Sequence, residues 1–142
     1  MRKTIYLTVS VLLLLTCVAC TAKQETNENY SLNVSYGLGG DTDQTILTFD
    51  ANIGSIKSDV KNIDTYEVLI NEEYTGLLLE NGPHESQHKD AYMKITGKII
   101  FNTTGMTKEE INVAGLLKGF KIIDKDGNET DLFIPEDQKA VK

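Results

Sequence analysis

The chain has 142 residues, with 14 basic against 21 acidic side chains, a formal net charge of −7 and two histidines. That balance excludes nucleic acid as a partner, because neutralising phosphates needs a basic patch. It equally disfavours lying flat on an anionic lipid surface, which attracts clusters of Lys and Arg. The length suits one domain, and about a hundred ordered residues bury a sufficient core without disulfide staples.

The first twenty residues differ in kind from everything after them. Arg2 and Lys3 give a positive start, and residues 5–15 form an apolar run interrupted only by Thr8 and Ser10. Small Ala19 then stands directly before Cys20. This order is that of a secretory signal. A transmembrane helix needs about 20 predominantly apolar residues, and this run is shorter. The segment Cys17-Val18-Ala19-Cys20 resembles the lipobox of bacterial lipoproteins, in which a small residue precedes the cysteine that receives the lipid. Cys17 occupies the place where that family usually has leucine, and Thr16 makes Cys17 a poor acceptor itself. The resemblance implies cleavage after residue 19, a diacylglyceryl group on the Cys20 thiol, and a protein held on the extracytoplasmic side of the cell membrane. An ordinary cleaved signal, releasing a soluble domain with a free thiol at or near its new end, is the rival reading.

Residues 1–19 are thus expected to be a signal peptide, and 20–29 a lipidated cysteine with a polar tether. Removal of Arg2 and Lys3 makes the remainder still more acidic. Buried lipid contributes about 0.8 kcal/mol per methylene, so a diacyl anchor holds stably where one chain does not. The domain is expected over 30–135, and 136–142 as a frayed tail.

From Tyr30 the hydrophobic period is two. Tyr30, Leu32, Val34 and Tyr36 alternate with polar residues until the stretch Gly37-Leu38-Gly39-Gly40-Asp41, which is expected to end the strand. Leu47, Phe49, Ala51 and Ile53 predict a second strand. Tyr66, Val68 and Ile70 predict a third, followed by a turn at 71–74 and a short apolar strand at 77–79. Asn81-Gly82-Pro83 is expected to open a polar loop lasting to about Asp90. Met93, Ile95, Gly97, Ile99 and Phe101 make the longest alternating stretch, and two further strands are expected around 117–123 and 130–134. Asp124-Lys125-Asp126-Gly127-Asn128 between them is a hairpin turn.

One helix is predicted. Thr107 and Glu110 have the spacing of a capping box, Met106 and Ile111 that of a hydrophobic staple, and Gly115 can terminate the run. Two turns over 108–114 follow. About seven short strands with one brief helix in a connection point to an all-β, antiparallel sandwich. The architecture resembles the immunoglobulin-like one, with a small open barrel as the alternative. Antibody hallmarks are missing: there is no tryptophan, no core cysteine pair, and no tyrosine near the start of the penultimate strand.

His84-Glu85-Ser86-Gln87-His88 has the H-E-x-x-H form of zinc proteases. That chemistry needs a helix, on which i and i+4 imidazoles share a face. Gly82-Pro83 before it and the polar Ser86 and Gln87 within it argue for an exposed loop instead. His84 and His88 remain the only metal-ligand candidates, as a metal-binding or metal-dependent hydrolytic alternative, and a triad would have to draw its base from them. No cofactor and no catalytic set is predicted. Asp124–Glu129 lacks the calcium-loop spacing, its glycine being fourth and not sixth. Asp41-Thr42-Asp43, at the start of the second strand, is a second acidic segment, and a calcium site there would be completed by another acidic loop. Five tyrosines (30, 36, 66, 74 and 92) are expected at core or rim positions before a shared recognition patch. The expected function is a non-enzymatic binding or accessory ectodomain of the envelope. Its surface is the His84–Asp90 loop, or an edge strand that pairs with a partner, and its partner another envelope protein.

Overall fold

The computed structural model describes residues 29–56 and 60–135. The expected signal, Cys20, the tether as far as residue 28, and the tail 136–142 lie outside the described residues. Seven strands follow in order: β1 (Tyr30–Gly40), β2 (Gln44–Ser55), β3 (Ile63–Ile70), β4 (Leu78–His88), β5 (Tyr92–Asn102), β6 (Leu117–Asp124) and β7 (Glu129–Phe133). Among the described residues one short helix, α1 (Lys108–Val113), joins β5 to β6, and brief 3-10 turns lie at Val60–Asn62 and Glu72–Leu77.

The strands form two antiparallel sheets, β1-β2-β5-β4 and β3-β6-β7. This order is that of the constant-type immunoglobulin sandwich. A barrel would join the two sheets into one, and they stay separate. The period-two pattern explains which faces meet. On β2, Thr45, Leu47, Phe49, Ala51 and Ile53 are buried; on β5, Met93, Ile95, Ile99 and Phe101 are. The second sheet answers with Ile63, Leu117, Phe120, Ile122 and Leu132. Phe49 on β2 meets Phe120 on β6 edge to face, centroids 5.5 Å apart at 62°, and so ties one sheet to the other. The only polar side chains in this core, among the described residues, are Thr45 and Thr103. Their hydroxyls lie 3.0 Å apart and satisfy each other.

Helix α1 starts as its sequence dictates. The Thr107 backbone N–H donates to Glu110 Oε2 at 2.7 Å, and the Glu110 N–H donates to Thr107 Oγ1 at 3.2 Å. Both arms of the capping box are formed. Gly115, at φ +58°, takes the left-handed turn that ends the helix. The β6–β7 hairpin is equally local. Asp124 Oδ1 accepts the amides of Asp126 and Asn128 at 2.9 and 2.8 Å, and Gly127 supplies the positive φ.

Two expectations need correction. Strand β1 does not end at Tyr36: it runs through the glycines to Gly40, in unbroken register with β2. Glycine weakens a strand without forbidding it, and the long alternating partner supplies the ladder. The expected loop from Asn81 to Asp90 is in fact strand as far as His88, paired with β5 throughout its second half. The register shifts between Asn81 and His84, so a bulge absorbs Gly82-Pro83 and the strand resumes.

Candidate functional site

Strand β4 carries the residues that sequence alone singled out, and its pleat decides what they can do. Within 84–88, successive side chains point to opposite faces. His84, Ser86 and His88 are paired with Gly97, Ile95 and Met93 of β5, whose side chains line the inner face. Glu85 and Gln87 sit opposite Thr96 and Lys94, on the outer face.

His84 lies half-buried on the inner face of its sheet. Its ring meets Phe49 edge to face at 5.5 Å, and Gly97 leaves the space for this contact. A Cβ at Gly97 would stand 2.7 Å from Phe49 Cζ and 2.5 Å from His84 Cδ2. His84 Nε2 is buried and has no hydrogen-bond partner among the described residues. Burial disfavours the charged imidazolium and lowers the His84 pKa below its ordinary value. Ser86 shares a hydrogen bond with the Tyr66 phenol on β3, and desolvation of that phenol raises its pKa. His88 Nε2 lies 3.2 Å from the Ile63 carbonyl oxygen, which accepts when that nitrogen is protonated. The inner row of β4 therefore latches the first sheet onto β3 of the second.

This arrangement does not reproduce H-E-x-x-H chemistry. Four residues along a strand separate the two histidines by about 13 Å, whereas each ligand of a zinc ion lies about 2 Å from it. Glu85 is on the opposite face from both imidazoles. Among the described residues no group of three His, Cys, Asp or Glu side chains converges. The outer face beside these residues is a shallow hollow of about 390 Å³ lined by Glu85, Gln87, Lys89, Tyr92, Lys94 and Thr96. Lys94 is committed there to Asp50, at 2.7 Å, which raises its pKa.

The other candidates are absorbed by structure. Asp41 Oδ1 accepts the amides of Asp43 and Gln44, both at 2.9 Å, and these bonds hold its pKa below the usual carboxylate range. Asp124 is occupied in the same way by its own hairpin, its second oxygen accepting the Asn128 side-chain amide at 2.9 Å. Tyr30, Tyr36, Tyr66 and Tyr74 pack against the core, while Tyr92 is exposed.

No family model, curated protein or solved structure matches the chain. No helix among the described residues is long and apolar enough to cross a membrane.

The His84 geometry predicts a pH dependence. Its pKa is lower folded than unfolded, so below about 6.5 the unfolded chain binds a proton that the folded domain refuses. Stability contributed by neutral His84 is complete above that pH. It drains as pH falls and is fully lost once pH passes below the folded-state value. His84→Leu should remove this limb: the urea midpoint of the parent, taken relative to that of the variant, should fall as pH goes from 8 to 5. Parallel curves would show that His84 does not titrate differently on folding.

Proposed function

We propose that the chain is a lipid-anchored, extracytoplasmic protein of the cell envelope, attached to the cell membrane through Cys20 and serving as a non-enzymatic binding or accessory ectodomain for another envelope protein. The observation that carries this reading is the order of the first twenty residues: positive start, apolar run, small residue, cysteine. The position of the domain supports it. The first strand begins at Tyr30, so residues 21–29 give a polar spacer reaching about 30 Å at most from the anchor. The inventory of side chains supports the non-enzymatic part. Both histidines serve contacts between the sheets, and the acidic pairs serve their own turns. A rigid sandwich with solvated faces and loops is suited to recognition.

Cys20→Ala tests the anchor. Cells expressing the parent chain should incorporate a labelled fatty acid into it and retain it in the membrane fraction. The variant should take up no label and either accumulate as an unprocessed precursor or leave the membrane. Unchanged labelling and retention would overturn the assignment of Cys20.

A further inference from the structure

A two-sheet sandwich has four edges, and an exposed edge is a template for pairing unless something blunts it. Three of the four here are blunted. Strand β4 carries Glu80, Glu85 and Pro83 and is broken twice by register shifts. Strand β3 carries Asp64 and Glu67 and also shifts register twice. Strand β7 is five residues long and includes Glu129 and Asp131. Among the described residues, strand β1 has none of these devices. Its eleven residues, YSLNVSYGLGG, hold no charge and no proline, and its register with β2 is unbroken from end to end.

The main chain of β1 shows which groups face that edge. Ile56 N–H donates to Asn29 O at 2.8 Å, and Asp41 N–H donates to Gln44 O at 3.0 Å. Both pairs continue the β1–β2 register. Bonded and non-bonded pairs alternate in an antiparallel ladder, so the odd-numbered residues of β1 bond to β2. The N–H and C=O groups of Leu32, Val34 and Leu38 consequently turn toward the rim. Their side chains belong to the inner face, where Leu32 and Leu38 are only half-buried at the margin of the core.

We propose that this edge is a self-association surface, on which β1 pairs antiparallel with β1 of a second copy about a two-fold axis beside Ser35. Charge selects this occupant. In a chain of net charge −7, self-pairing at any other edge would bring the carboxylates of two copies together, whereas β1 meets its twin without a single charge. Register selects it too. Ser35 is the midpoint of Tyr30–Gly40, and antiparallel pairing about it sets Leu32 opposite Leu38 of the second copy and Asn33 opposite Gly37. Apolar side chains then share the inner face, small polar ones share the outer face, and two four-stranded sheets become one of eight. Counted without Tyr36, the pairing forms about eight main-chain hydrogen bonds, within the range of a specific interface. The surface is isologous, as a closed two-fold dimer requires. This inference makes no use of the lipid anchor.

The odd-numbered residues form the non-bonded pairs of the new ladder, so the two Ser35 Cα atoms approach to about 4.5 Å, within disulfide reach. The test uses the full chain in whole expressing cells and their medium, oxidised mildly and run without reductant. Ser35→Cys should give a reductant-sensitive band at twice the monomer mass that takes most of the protein. Asn33→Cys should stay at the background set by the parent, because the two residues 33 lie about 13 Å apart along the pair. In detergent solution, Ser35→Asp should halve the protein mass measured for the parent by light scattering, since it sets two carboxylates face to face. A Ser35→Cys chain that does not cross-link, or that cross-links no better than Asn33→Cys, overturns the proposal. So does a parent that is monomeric in detergent.

Discussion

Phe120→Ala lowers the stability of the sandwich by about 4 kcal/mol, the range of a buried aromatic truncated in a core that cannot collapse around the gap. Phe120 has no exposed surface, and its ring is the one that meets Phe49 across the sheets. Truncation leaves a cavity between β2 and β6, and the Phe49 ring that contacts His84 loses its partner on β6. Domains of this size are stable by about 5–15 kcal/mol in total, so the variant stands near the limit of folding. A urea titration should show the midpoint falling with little change in slope, which marks lost stability and not a changed unfolded state. Leu79→Ala is the control. Leu79 is as apolar, but 54% exposed, and its loss should move stability by less than about 0.5 kcal/mol. Equal shifts for the two variants would mean that the core is not where Phe120 lies.

Gly119→Ala is a smaller chemical change with a comparable effect, about 3 kcal/mol. A Cβ on Gly119 would collide with the Leu132 carbonyl oxygen and come within 3.0 Å of the Phe133 Cα. Both are main-chain atoms of β7, so no rotamer change relieves the clash. Strand β7 must move away from β6, and the Gly119–Phe133 pairing goes with it. Hydrogen exchange distinguishes this from general weakening. Amides of β7 should lose protection first and most, while those of β2 and β5 follow only the global change. Uniform loss of protection, or none, would contradict the close approach. Gly97→Ala is the gentler comparison, because the atoms it meets are side-chain atoms of Phe49 and His84 that can give way.

Much of the fold is legible in the chain because its signals are local. Alternation over Leu47–Ile53 and Met93–Phe101 places two strands and their inner faces without tertiary information. The Thr107–Glu110 box and the Asp124–Asn128 turn work by hydrogen bonds spanning three or four residues, and both form as read. Strand β4 was hidden for a physical reason. Gly82-Pro83 signals a loop in any local reading, yet an edge strand tolerates a proline, and a bulge lets the pairing with β5 resume at His84. The same segment shows why the H-E-x-x-H form misleads. Spacing of four means one face only on a helix, and nothing within five residues reveals that β5 imposes a period of two.

The contrast runs through the whole protein. By itself the sequence determined an all-β class, the number of strands, the helix and its cap, and the hairpin turn, because short-range sterics, capping and turn chemistry suffice for each. Tertiary structure alone decided that Phe49 meets Phe120, that a half-buried His84 packs against Phe49, and that β1 is, among the described residues, the one uncharged, unbroken edge. Those facts depend on which distant strands become neighbours, and pairing across the fold is written in no single segment of the chain.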